Sequence, residues 1–335
     1  MNRYHRQMLF PQIGEAGQQA LTKSSVLVVG AGALGTVICD QLVRAGIGYI
    51  RMIDRDYVEL HNLQRQTLFD EDDVAATMPK AVAAKQKLEK ANSGVHIEAI
   101  TGNVSKENID QLLQDIDIVL DGTDNFATRF LLNDACFKYN IPYSYGGVVS
   151  SRGMTAFFIP GETPCLRCLM KEGGANGQTC DTVGVLAPAV NMIASFQVME
   201  TLKFLTCNKE SLRNSLHVLD IWKNQQYDVK FSEQSASCPT CVQRRYPALQ
   251  ASAADEETVL CGRNTVQIHR KQKMDLSEWE QRLSNVATVK KTPFLLKVFF
   301  DNQLEFAIFP DGRVLVQGTE DIVLARAQYD RYIGS

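Results

Sequence analysis

Apolar residues along the chain fall into two kinds of run. Short apolar-rich stretches alternate with longer ones in which apolar residues recur every three or four positions. "VLVVG" (26–30), "YIRMID" (49–54), "HIEAITG" (96–102), "DIVLDG" (117–122) and "IPYSYGG" (141–147) are of the first kind and predict strands. The continuous run at 26–30 is what a strand buried on both faces needs. "LGTVICDQLVRAG", "KAVAAKQKLEKAN", "SKENIDQLLQDI" and "TRFLLNDACFKYN" lie between the strands and predict helices, as do residues 1–22. Strands alternating with helices predict a parallel sheet covered on both faces.

The pattern then changes. "GMTAFFIP" and "SLHVLDIWKNQQYDVKF" predict adjacent antiparallel strands, with a long buried helix between them at "PAVNMIASFQVMETLKFL". "SASCPTCVQRRYPALQASAADEE" is polar and punctuated by proline, so a boundary is placed there. Residues 1–245 form one domain in this reading and 255–335 a second, small α+β domain. The second has a strand near "NTVQIHR", a helix at "DLSEWEQRLSNV", two or three antiparallel strands in "PFLLKVFFDNQLEFAIFPDGRVLVQG" and a closing helix at "DIVLARAQYDRYI". Asp301–Asn302 and Pro310–Asp311–Gly312 carry its turn signals. The fold class is therefore α/β, a doubly wound, mostly parallel sheet extended by antiparallel strands, plus the small α+β domain.

Composition narrows the function. The 335 residues are 45 % hydrophobic and 22 % charged, as in ordinary globular proteins. A net charge of −3 gives no reason to expect nucleic-acid binding. No apolar run approaches the roughly 20 residues of a membrane span. "MNRYHRQMLFPQIGEAG" lacks the apolar core of a signal peptide, so a cytoplasmic protein is expected.

Gly30, Gly32 and Gly35 form G-x-G-x-x-G between the first strand and the first long helix. Such a turn lets backbone N–H groups and the helix N-terminus meet phosphate oxygens. Asp54 ends the next strand, where a carboxylate accepts hydrogen bonds from ribose hydroxyls. ATP and a nicotinamide dinucleotide share these groups, and both remain open at this point. Downstream residues favour ATP. "VELHNLQRQTLF" places Asn62, Arg65 and Gln66 after the second strand, "MPKAVAAK" puts Lys80 at a helix start, and "DGTDNFATR" puts Asp121 and Asp124 at another strand end. In a doubly wound sheet these ends converge on one crevice. Two cations and a carboxylate suit a triphosphate with Mg²⁺.

Cys165-Leu-Arg-Cys168 and Cys238-Pro-Thr-Cys241 are two C-x-x-C pairs, the donor set of a tetrahedral structural zinc site. A redox pair at Cys238–Cys241 is the competing reading and leaves Cys165 and Cys168 unexplained. Cys180 stands alone in the glycine-rich "GGANGQTCDTVGVLAP", expected to be a loop. Cys39, Cys136, Cys207 and Cys261 read as packing residues, and the histidines show no ligand spacing. "SYGGVVSSRGMTAFFIP" is expected beside the crevice, with Arg152 and Gly153 in a turn.

"RYHRQMLFPQIG", "VGAGALG", "NLQRQTLF", "PK", "TDN", "PCLRCL" and "CPTC", in that order, closely resemble the ThiF/MoeB/HesA adenylyltransferases, bacterial relatives of ubiquitin-activating enzymes. The resemblance spans residues 1 to about 245. It implies ATP-dependent adenylation of the C-terminal glycine of a ubiquitin-like sulfur carrier, ThiS or MoaD, with release of pyrophosphate, for thiamine thiazole or molybdopterin synthesis. It implies Asp54 as the ribose-binding acid, Arg65 and Lys80 as the phosphate-binding pair and Asp124 as the Mg²⁺-binding aspartate, with Asn62 and Gln66 flanking the phosphates. Arg6 resembles an arginine that reaches the ATP of a partner subunit, which implies a homodimer. Cys180 matches a cysteine that, in the thiamine branch, can form a covalent link to the carrier. A cysteine desulfurase or another sulfur donor is a further implied partner. The overall resemblance leans to the thiamine branch. The readings from other classes are an NAD(P)-dependent oxidoreductase, for which no His or Tyr partner stands out, and a non-catalytic nucleotide-binding adaptor, which would not need Arg65, Lys80 and Asp124. Within the family, a different peptide or a tRNA base is the alternative substrate.

Overall fold

The computed structural model of the chain describes residues 2–170, 183–250, 257–260, 264–270, 272–301 and 303–334. The chain divides into two compact units, Met1–Gln250 and Ala251–Ser335.

In the first unit β1 (Ser25–Val29), β2 (Tyr49–Asp54), β3 (His96–Thr101), β4 (Ile118–Asp121) and β5 (Tyr143–Val149) run parallel. β6 (Arg152–Phe158), β7 (Ser215–Asp220) and β8 (Gln225–Lys230) extend them antiparallel, in the order β3-β2-β1-β4-β5-β6-β7-β8. This is the doubly wound sheet with an antiparallel extension that the sequence predicts. β1 sits at its centre, and its apolar residues feed two cores. Val26 and Val28 join the core shared with the helices Gly14–Lys23, Ala33–Ala45, Lys80–Ala91 and Ala187–Leu205. Leu27 and Val29 join the core on the other face, with the helix Phe126–Tyr139. Strand order reverses between β1 and β4, so a crevice opens at their carboxyl ends.

The helical stretch expected over residues 1–22 comprises two helices, His5–Met8 and Gly14–Lys23. Two local expectations need correction. "SKENIDQLLQDI" yields only the turn Ile109–Leu112: Asn108 accepts from the Ser105 N–H and donates to the Asn103 carbonyl, and Ser105 Oγ accepts from the Glu107 N–H, local side-chain bonds that compete with a helix start. Arg152 and Gly153 begin β6, and the turn falls two residues earlier at Ser150, whose φ is 58°. Gly153 is required by packing: a Cβ there would lie 2.3 Å from the Ile193 side chain.

The second unit is one antiparallel sheet. Its strands are β9 (Glu257–Leu260), β10 (Thr265–His269), β11 (Thr288–Lys291), β12 (Leu296–Phe299), β13 (Glu305–Ile308) and β14 (Arg313–Gln317), ordered β11-β12-β13-β14-β10-β9. The helices Leu276–Leu283 and Ile322–Tyr332 join a core with Val266, Ile268, Val298, Phe306, Val314 and Val316. β9 and β11 were not anticipated. "TVKK" is an exposed polar edge strand with no apolar signal. The turn at Pro310–Gly312 forms as expected, with Gly312 at φ 89°, while Asn302 and Cys261 lie outside the described residues. Among the described residues no helix is long and apolar enough to cross a membrane.

Candidate active site

The site is assembled where β1, β2 and β4 end. β1 runs into Gly30, whose φ of 90° turns the chain back beneath the helix Ala33–Ala45. The turn is tight against two neighbours. A Cβ on Gly35 would sit 1.8 Å from the Gly30 carbonyl oxygen, and one on Gly30 would sit 2.7 Å from the Gly122 oxygen. Gly32 is different, because a Cβ there would meet only Gln66 Nε2, at 3.9 Å. Its outer face is open at the start of the helix, where N–H groups lack partners and the dipole is positive.

Asp54 ends β2 and is buried. Its Oδ2 accepts from the Ala31 backbone N–H at 2.6 Å and its Oδ1 from the Asp56 N–H at 2.7 Å. Burial pushes its carboxyl up from the ordinary range, the Lys80 cation opposes this, and the Asp56 charge adds to it. The carboxylate thus braces the glycine turn at the carboxyl end of β2. Lys80 starts its helix, its side chain only 3 % exposed, with Nζ 3.4 Å from Asp56 Oδ2. Leu60–Asn62 is a short 3₁₀ turn in which Asn62 Oδ1 accepts from the Glu59 N–H. The next turn carries Arg65, half-buried and donating to the His61 carbonyl at 2.9 Å. It also carries Gln66, whose buried Oε1 has no hydrogen-bond partner among the described residues.

The loop after β4 carries Asp124. Asp121, fully buried, accepts from Thr123 N–H and Oγ1 through Oδ1 and from the Tyr143 hydroxyl through Oδ2, at 2.6 Å. Burial, reinforced by the Asp121 charge, keeps the Tyr143 hydroxyl protonated and donating. Arg129 Nε lies 3.5 Å from Asp121, and its Nη2 donates to the Thr123 carbonyl at 2.8 Å. Gln197, from the long helix, donates to the Asp121 carbonyl. Asn125 then caps the helix Phe126–Tyr139. Asp124, in the loop that follows β4, is exposed, with its charge felt by Arg129.

Glycine turn, Asp54, Asn62, Gln66, Lys80 and the Asp124 loop are therefore linked by contact or by adjacent strand ends. Arg6 is not among them. It sits exposed on His5–Met8, which Gln7 fastens to the Ala45 carbonyl and Tyr4 to Asn92. That is the far end of the helix that begins at Gly32, about 20 Å away at 1.5 Å per residue. Cys180 lies outside the described residues. Cys207, expected as a packing residue, is exposed; Cys39 and Cys136 are buried.

Sequence reasoning missed Asp56, Tyr143, Arg129 and Gln197. Asp56 had a signal, as the second acid of an Asp-x-Asp at the strand end. Arg129 had one too: a cation in the first turn of a helix opposes the dipole and needs another reason to be there. Tyr143 and Gln197 become visible only through the pairing of β4 with β5 and the packing of the long helix.

The four cysteines of the two C-x-x-C pairs converge. Cys165 and Cys238 Sγ lie 3.5 Å apart, Cys168 and Cys241 3.4 Å, and all four within 4.8 Å of one another. These separations are too long for disulfides, at about 2 Å, and near the roughly 3.8 Å between thiolates bound tetrahedrally to one zinc. Thiol hydrogen bonds from Cys241 and Cys238, and backbone N–H groups of Cys168 and Arg167, hold the Cys165 thiol down at about 6. Burial pushes Cys238 up to about 11. A zinc ion fits this donor set.

Fold and site define a doubly wound nucleotide-binding domain pinned by a four-sulfur centre. Residues 4–240 match the ThiF family, and the chain belongs to it. It is 42 % identical over 336 residues to the sulfur carrier protein ThiS adenylyltransferase of Bacillus subtilis (strain 168), covering 99 % of each chain. It is 34 % identical over 244 residues to the molybdopterin-synthase adenylyltransferase of Escherichia coli (strain K12), covering 72 % of this chain and 97 % of that one. Among solved structures, E. coli MccB crystallised with ATP aligns with a TM-score of 0.63 and 26 % identity, over 72 % of this chain and 74 % of that one.

Proposed function

We propose that this chain is an adenylyltransferase that activates the C-terminal glycine of a ubiquitin-like sulfur carrier of the ThiS type. The carboxylate attacks the α-phosphorus of ATP, the bond to the β-phosphate breaks, and an acyl adenylate and pyrophosphate result. The carboxylate is already a nucleophile, so no general base is needed. The observation that carries this reading is the buried Lys80 beside Asp54 and the glycine turn. A cation held in place from low dielectric suits the charge that develops on leaving pyrophosphate.

Gly32 and the helix start receive phosphate, Asp54 the ribose, and Arg65 and Lys80 the leaving group, with Asn62 and Gln66 beside them. Asp124 would hold Mg²⁺, which shields the triphosphate charge. Cys165, Cys168, Cys238 and Cys241 would hold Zn²⁺, tying the end of the nucleotide unit to its middle. Full-length similarity to a ThiS adenylyltransferase, second unit included, supports the thiamine branch over the molybdopterin branch.

Arg6 supports a homodimer. Its helix is fastened about 20 Å from its own glycine turn, so the ATP contact that the resemblance implies for Arg6 would be made in another subunit. Leu9 and Phe10 beside it are exposed large apolar residues of the kind an interface covers. Cys180 is the candidate for the covalent link to the carrier, with a cysteine desulfurase as sulfur source. The test is adenylation itself: purified protein, ATP, Mg²⁺ and a ThiS-type carrier should give acyl adenylate detectable by mass spectrometry. A carrier left unmodified would reject the reading.

A further inference from the structure

We propose that Asn133 and Asp134, adjacent on the helix Phe126–Tyr139, are positioning residues that lock both cysteine knuckles into metal-binding geometry. The proposal rests on the zinc reading of the four thiolates. Asp134 is fully buried, where a carboxylate survives only if its oxygens are satisfied. It takes five donors. Oδ1 accepts from Arg167 Nε at 2.9 Å, Thr240 Oγ1 at 2.7 Å and Asn133 Nδ2 at 3.1 Å. Oδ2 accepts from Arg167 Nη2 at 2.9 Å and the Ala248 N–H at 2.9 Å. Asn133 Oδ1 accepts from the Leu166 N–H at 2.9 Å.

These partners are not scattered. Leu166 and Arg167 are the two residues between Cys165 and Cys168, and Thr240 lies between Cys238 and Cys241. Arg167 also stacks over Phe130, one turn earlier on the same helix, at 4.6 Å. One helix therefore grips both knuckles through residues that are not themselves ligands. The sulfurs come from segments some 70 residues apart in sequence, and four thiolates repel one another until a cation arrives. A rigid anchor common to both segments removes the cost of bringing them into register. The same helix begins two residues after Asp124, so the sulfur centre and the nucleotide site share one rigid element.

Outer partners of this kind are worth about 10–100-fold in metal affinity. The experiment starts from zinc content in purified wild-type protein, then follows zinc release to a chromophoric chelator. Cobalt-substituted protein supplies a spectrum of the metal's ligand field. Asp134→Asn should speed zinc release about 10–100-fold and shift the cobalt bands, with circular dichroism unchanged. Thr240→Val, which deletes one of the five donors, should shift both readouts in the same direction by less. Should Asp134→Asn fail to fold, Thr240→Val decides alone. Wild-type release and spectrum in the folded variants would overturn this proposal and leave the zinc reading intact. Wild-type protein that binds no zinc would overturn both.

Discussion

Two glycines of one turn should respond to the same substitution in opposite ways. In Gly35→Ala the new Cβ would lie 1.8 Å from the Gly30 carbonyl oxygen. An ordinary contact is about 3.5 Å, so helix and turn must part by about 1.7 Å. Both are backbone, and no side chain can yield. The cost is about 3 kcal/mol, the upper range for overpacking. For a unit of this size that lowers Tm by about 6–12 °C. In Gly32→Ala the Cβ meets only Gln66 Nε2 at 3.9 Å, so packing is undisturbed. The loss is that of an alanine at a helix N-cap, about 1 kcal/mol or less. The methyl instead fills the space through which phosphate approaches the helix start, and ATP should bind at least about tenfold more weakly, about 1.4 kcal/mol. Thermal unfolding and isothermal titration with ATP separate the two effects. Wild-type ATP affinity in Gly32→Ala would refute the assignment of phosphate to this turn, and an unchanged Tm in Gly35→Ala would refute the packing argument.

Lys80→Gln should lower the adenylation rate about 10²–10³-fold, read in single-turnover experiments at saturating ATP. Asp124→Asn should abolish adenylation without loss of Tm, because the side chain is exposed, and ATP affinity in magnesium-free buffer should equal that of wild type. Tyr143→Phe removes one donor from the buried Asp121 and should cost about 1–3 kcal/mol in stability by denaturant titration. Removing zinc with a chelator should lower the Tm of the first unit, and re-adding zinc should restore it.

The sheet was legible because both of its periodicities are written into the chain. β1 needs apolar residues on both faces, and "VLVV" supplies them; the intervening helices show the 3.6-residue repeat. The glycine turn, Asp54 and Lys80 were legible because each sits at the end of a predictable element. What escaped was set by long-range pairing. Asp134 reads as one polar residue inside a helix, and nothing local says that Arg167 and Thr240 will come to it from far along the chain. β11 escaped because an exposed polar edge strand has no apolar signature. Gly153 was misread as a turn residue because a glycine demanded by a neighbouring helix looks the same in sequence as one demanded by a turn.

The central claim is tested most directly by ATP–pyrophosphate exchange, measured with purified protein, Mg²⁺ and either a ThiS-type or a MoaD-type carrier. The account predicts exchange that depends on the ThiS-type carrier and disappears in Asp124→Ala. Exchange with neither carrier, in protein that binds ATP tightly, would contradict it.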